Sequence, residues 1–182
     1  MRVGWGLLVS PQPSLFRRNK MSQDVSAFPT LYDSQITVND SGAAQQPGQV
    51  FFWKGGTGRV KTAWVKYIKL DSSGCSRGEA LVEDPSALTG YTLYKATAAM
   101  SNHPVKGIAA ATISGGNYGF IITDGYAEQV DSSITLASGD YIYTSGSTAG
   151  KVTNIGGGGY ALGFANGAFA TGVGSATIFR WG

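Results

Sequence analysis

Cysteine and histidine are nearly missing from this sequence, with Cys75 and His103 the single examples of each. One thiol and one imidazole cannot make an intrachain disulfide, a cysteine-rich zinc site or a multi-histidine metal site, and no cofactor is expected. Charge is also scarce, at 14% of 182 residues where about 25% is ordinary. Glycine replaces it, with 27 residues. Each interior glycine costs a helix up to about 1 kcal/mol, so a chain this rich in Gly excludes a helical bundle. The 42% hydrophobic and 12% aromatic content is near globular values, which excludes disorder throughout. The length suits one compact domain, or a small domain with an arm.

The formal charge of +3 comes from one end. Arg2, Arg17, Arg18 and Lys20 stand in the first twenty residues, which hold no acid, so the rest of the chain gives no electrostatic reason to expect nucleic acid. The leader fails as a signal peptide because its apolar run is short, Pro11 and Pro13 interrupt the residues after it, and Arg17-Arg18 occupies the place of small cleavage-site residues. Met21 opens a polar sequence and offers a second start, which would make residues 1–20 an accidental or disordered extension. The uncharged run 152–179 is the one membrane candidate, with Gly159, Gly163 and Gly167 at the spacing of close-packed membrane helices. Four consecutive glycines and several Asn, Thr and Ser leave it too little apolar surface to insert, so short strands between glycine turns are expected and no membrane partner.

Residues 1–49 hold four of the six prolines and little periodicity, which reads as an extended N-terminal arm. Residues 50–182 read as a Gly-rich β-domain. A hairpin is expected from 50–53 and 59–70 around Gly55-Gly56-Thr57-Gly58, followed by short strands at 80–82, 91–95, 106–113, 119–123, 140–144, 151–153, 160–165 and 176–180. This spacing predicts an all-β fold, a short-stranded β-sandwich or barrel-like body. A weak internal repeat points to two related units. Ser76-Arg77-Gly78-Glu79-Ala80-Leu81-Val82 is echoed by Ala137-Ser138-Gly139-Asp140-Tyr141-Ile142-Tyr143, and Lys106-Gly107-Ile108-Ala109 by Leu162-Gly163-Phe164-Ala165.

Candidate chemistry is sparse. A Cys75–His103 dyad would need proximity to form a thiolate, and a turn thiol beside an unrelated surface histidine is the expectation. No Gly-Xaa-Ser-Xaa-Gly elbow occurs, and the glycine loop before Arg59 lacks the Gly-Lys-Ser/Thr ending of a phosphate loop. Glu79, Glu83, Asp84, Asp124, Glu128, Asp131 and Asp140 offer many carboxylate pairs for a polysaccharide hydrolase. Several stand beside Gly, Pro or Ser, where acids support turns. Lys54, Arg59, Lys61, Lys66 and Lys69 interleave with Phe51, Phe52, Trp53, Trp64 and Tyr67, a mixture used on single-stranded nucleic acid. Lys66 and Lys69 differ by an odd number and face opposite sides of a strand, which favours lysines guarding a sheet around an aromatic core. Asn39-Asp40-Ser41 matches a glycosylation sequon that matters only after export.

From about Ser73 to Arg180 the order of several short motifs is familiar: Gly78-Glu79-Ala80-Leu81, Pro104-Val105-Lys106-Gly107-Ile108-Ala109, Gly119-Phe120-Ile121 with Gly125, Ser138-Gly139-Asp140-Tyr141-Ile142-Tyr143, and Leu162-Gly163-Phe164-Ala165. In these the chain resembles the small β-rich head decoration, or capsid cement, proteins of tailed bacteriophages. Residues 1–72 lie outside the resemblance. It implies a non-enzymatic virion protein on the outer capsid surface, with the major capsid protein lattice as partner and a homo-oligomer, a trimer foremost, as the working form. It carries over no catalytic residue.

An arm that orders only on a partner can wrap a large surface. Phe28, Leu31 and Tyr32 are the expected apolar anchors, because they cluster between polar stretches. The alternative is a virion fibre or receptor-binding module presenting Tyr91, Tyr94, Tyr118, Tyr126 and Tyr160 to glycan.

Overall fold

The computed structural model describes residues 28–55, 61–84, 86–87, 89–96, 105–156 and 161–179. The leader 1–20, Met21, the glycine turn 56–60, His103 and Tyr160 lie outside the described residues. Strands dominate, as the composition requires. They are β1 (Thr30–Leu31), β2 (Val50–Gly55), β3 (Lys61–Leu70), β4 (Ala80–Glu83), β5 (Thr92–Lys95), β6 (Val105–Ala109), β7 (Tyr118–Ser132), β8 (Tyr141–Thr144), β9 (Val152–Thr153), β10 (Gly163–Ala165) and β11 (Gly172–Ile178), with one helical turn, α1 (Asp33–Ile36), after β1. The charge-free run expected as strands forms β9, β10 and β11, and no described helix is long and apolar enough to cross a membrane.

All strands belong to one sheet that closes on itself twice. Pairing runs β3-β5-β4-β6-β7 and returns from β7 to β3, then runs β7-β11-β10-β8-β9 and returns from β9 to β7. Two five-stranded rings therefore share the long strand β7. Their wiring is the same. In the first ring β3 and β5 are parallel through Leu70 and Leu93 and the other pairings are antiparallel. In the second, β7 and β9 are parallel through Ser132 and Val152, and the rest are again antiparallel. The faint sequence repeat is thus a structural duplication in which β4 corresponds to β8, β6 to β10 and the first half of β7 to β11.

The correspondence extends to single hydrogen bonds. Gly78 and Gly139 both adopt positive φ, 89° and 86°, and their amides donate to Ala109 and Ala165, each at 2.9 Å. The following acids close the same turn, Glu79 accepting from the Ser76 amide at 2.7 Å and Asp140 from the Ala137 amide at 2.9 Å. Ahead of these turns, Cys75 bridges Ile113 and Leu136 bridges Phe169. Gly107 and Gly163 sit where a Cβ would run into a backbone carbonyl of the neighbouring strand, that of Ile122 and of Thr177 respectively. Glycine recurs there because that carbonyl leaves no room for a side chain.

The shared strand changes face as it passes between rings. Trp64 opposes Asp124 while Val65 opposes Ile122, so Thr123 is an extra residue and the alternation of side chains is reset. Ile121 consequently points into the first ring, with Ile68, Leu70, Leu81, Leu93 and Ala109. Ala127 and Val130 point into the second ring from the opposite face, with Ile142, Val152 and Ala176. The sequence pattern ends this strand at residue 123. Instead Gly125, at φ 94°, carries the backbone through the irregularity. The acids beyond it are matched by Lys61, Arg77 and Lys151.

The outer wall of the first ring and the inside of the second form one hydrophobic cluster, and residues 28–49 close it. This corrects the expected arm boundary at residue 49. β1 pairs in parallel with β2 through Thr30–Phe52 and Leu31–Trp53, and Leu31 and Ile36 are buried in the cluster. Asp40 and Tyr118 exchange backbone hydrogen bonds at 2.9 and 2.8 Å, and the Tyr67 hydroxyl donates to Asp40 Oδ2 at 2.7 Å. Prolines and a two-residue strand hide this docking from any periodicity argument.

Candidate interaction surface

Because both rings close, β1 is the terminal strand of the sheet among the described elements. An unpaired strand edge invites association and is commonly kept short or blunted with proline. Here the strand has two residues and Pro29 stands before it, its carbonyl accepting from the Phe52 amide at 3.2 Å. The three expected anchors divide at this edge. Leu31 is 8% exposed, whereas Phe28 is 38% and Tyr32 60% exposed. Alternation across β1 sends Leu31 into the chain's own core, so it fixes the segment to the body, while Phe28 and Tyr32 remain open to a partner.

Phe28 does not stand alone. Its ring meets Trp64 edge-on at 4.9 Å, Trp64 meets Phe52 at 5.2 Å, and the Lys54 ammonium lies 5.9 Å from the centre of the Phe52 ring. Strand parity creates this arrangement. Phe51, Trp53 and Tyr67 are buried, leaving their neighbours Phe52, Lys54, Trp64 and Lys66 on the other face. The aromatic-basic mixture therefore separates into a core half and an outer half; β2 and β3 are paired on both sides, so these lysines do not guard a sheet edge, and Phe52 and Trp64 stay outside the core. Lys66 donates to the Gly90 carbonyl at 3.2 Å, and burial, followed by the nearby Lys106 charge, pulls its pKa down. Lys61 is held by Glu128 at 3.2 Å and lies over the Tyr126 ring at 4.6 Å. Arg59 is outside the described residues.

Four of the candidate carboxylates are held in ion pairs. Glu79 meets Lys95 at 3.1 Å, Glu83 meets Lys106 at 3.1 Å, Asp131 meets Lys151 at 3.1 Å, and Glu128 bridges Lys61 and Arg77. Asp84 and Asp140 have pKa values pulled below the ordinary carboxylate value, Asp84 by hydrogen bonds from Ser86 and Asp140 by the Ala137 amide and then Asn154. A general acid needs a shift the other way. A shallow, solvent-open recess is lined by Asp33, Trp53, Arg77 and Glu128 among others, and in it the Trp53 indole donates to Asp33 Oδ1 at 3.1 Å. No group of three or more metal-ligating side chains occurs among the described residues.

Several other residues stand differently from expectation. Cys75 is not an exposed turn thiol. It is buried in the first ring, and burial pushes its pKa up to about 11, which disfavours the reactive thiolate. Tyr91, Tyr94, Tyr118 and Tyr126 are half-buried, Tyr118 stacking on Tyr67 at 6.0 Å, whereas the open tyrosines among the described residues are Tyr32 and Tyr141. Asn39 of the sequon is tied into the fold, its Oδ1 accepting from the Ser114 amide and the Asn117 side chain, each at 2.9 Å. No protein-family model matches the chain, and no curated protein sequence matches it.

Proposed function

We propose that this chain is a structural virion protein that decorates and stabilises the outer surface of a tailed-bacteriophage capsid, with the major capsid protein lattice as its partner and a homo-oligomer, a trimer foremost, as its working form. The observation that carries the reading is the sheet edge at β1, terminal among the described elements, where Phe28 and Tyr32 are presented by a segment whose apolar residues Leu31 and Ile36 are buried in the body. A cement protein with such a contact segment already docked on its body can bind the shell without ordering a long chain. The ion-paired and turn-bound carboxylates support a binding role over hydrolysis. The half-buried tyrosines weigh against the glycan-reading module.

The test is capsid binding by a Phe28→Ala, Tyr32→Ala double variant. Expected is a folded protein that no longer sediments with expanded capsids, while the unaltered chain does and appears as density on the outer head surface of imaged virions. Undiminished binding by the variant, or assignment of the chain to tail density, overturns the proposal.

A further inference from the structure

The duplication supplies a comparison that a single-unit fold lacks, because each outer position of the second ring has a counterpart in the first. On the first ring Ala80, Val82 and Ile108 are buried, as is Ala96 just beyond β5. The second ring covers them. The Ala80 amide donates to the Gly150 carbonyl at 2.6 Å and the Gly150 amide donates to the Ala96 carbonyl at 2.7 Å, while Leu162 and Ile178 approach Ile108 around a small recess. The same positions on the second ring hold Tyr141, Tyr143, Phe164 and Ile155. They remain apolar, yet Tyr141 is 58% and Ile155 69% exposed, with Phe164 packed against Phe179 at 5.7 Å.

A face left to solvent carries no selection for large apolar groups at each outward position, and a run of them marks an interaction site. What sits on the matching face of the first ring is another ring. We infer that the outer face of β8 and β10 is a self-association surface, covered by a ring of a second copy of this chain as the first ring is covered by the second within one chain. Such a contact joins unlike surfaces, and therefore closes into a cyclic oligomer or propagates. It rests on the homo-oligomer of the proposed function, whose surface it names, while capsid binding through Phe28 and Tyr32 is tested separately, so a monomeric chain that still binds capsids overturns this inference and not the capsid contact.

The experiment is mass measurement by sedimentation over a wide concentration series, using the full chain, Tyr141→Asp, Ile155→Asp and, as a control beside β1, Tyr32→Asp, with circular dichroism to check folding. Expected is a multiple of 19.0 kDa for the full chain and for Tyr32→Asp. Tyr141→Asp and Ile155→Asp should each weaken association by about tenfold or more, as for truncation of a central contact residue. Both positions are exposed in the single chain, so these variants are expected to fold. A full chain that is monomeric at every concentration, including one that instead binds polysaccharide through Tyr141, overturns the inference. So does an oligomer that survives both substitutions in folded protein, or one that only Tyr32→Asp dissolves.

Discussion

Truncating Leu31 to Ala is expected to lower the free energy of unfolding by about 2 to 5 kcal/mol, the range for buried leucines, although the residue belongs to a proline-rich segment that reads as an arm. The magnitude comes from its surroundings. Leu31 lies in the cluster that includes Trp53, Val65 and Ile36, and pairing with β2 at Trp53 holds it there, so the cavity left by truncation has rigid walls. Its neighbour Tyr32 is exposed, and Tyr32→Ala should stay within about 0.5 kcal/mol. Removing residues 1–49 takes away Leu31 and Ile36 together, worth about 3 to 6 kcal/mol of burial, beside a typical total stability of about 5 to 15 kcal/mol. It also removes the Asp40 carboxylate and the Ala44 amide that hydrogen-bond the Tyr67 hydroxyl. Chemical denaturation followed by tryptophan fluorescence measures all three proteins. Equal midpoints for Leu31→Ala and Tyr32→Ala, or an unaltered midpoint after deletion of 1–49, would refute the assignment of this segment to the core.

Gly163→Ala should destabilise by about 1 to 3 kcal/mol, as overpacking does, because its Cβ would meet the Thr177 backbone, whereas Gly167→Ala, with open space around it, should be near neutral in the same denaturation assay. The Cys75 thiol should resist alkylation at neutral pH and react stoichiometrically once denaturant is added; rapid labelling of the native protein would contradict its burial. Burial, then the Asp40 hydrogen bond, raises the Tyr67 pKa from 10.0 to about 12, so its contribution to stability is intact below pH 10 and is lost as pH rises through about 12. Thermal melts across that window should show a steeper alkaline loss for the native chain than for Tyr67→Phe, and parallel curves would count against the shift.

Composition alone determined that this chain builds strands, since glycine at this density and so few charged residues disfavour helix throughout. Local patterning placed most strands and even the duplication, because the Gly-acid turns at Gly78-Glu79 and Gly139-Asp140 and the in-strand glycines 107 and 163 answer local steric demands. Parity within one strand likewise separated Lys66 from Lys69. What the sequence could not express is pairing between distant segments. Leu31 is buried because β2 lies beside it, and Asp124-Gly125 continues a strand because β3 on one side and β11 on the other supply the hydrogen bonds a turn would otherwise satisfy. Exposure obeys the same rule. Ala80 and Tyr141 occupy equivalent places in equivalent turns, and only the stacking of one ring on the other decides that the first is core and the second is surface.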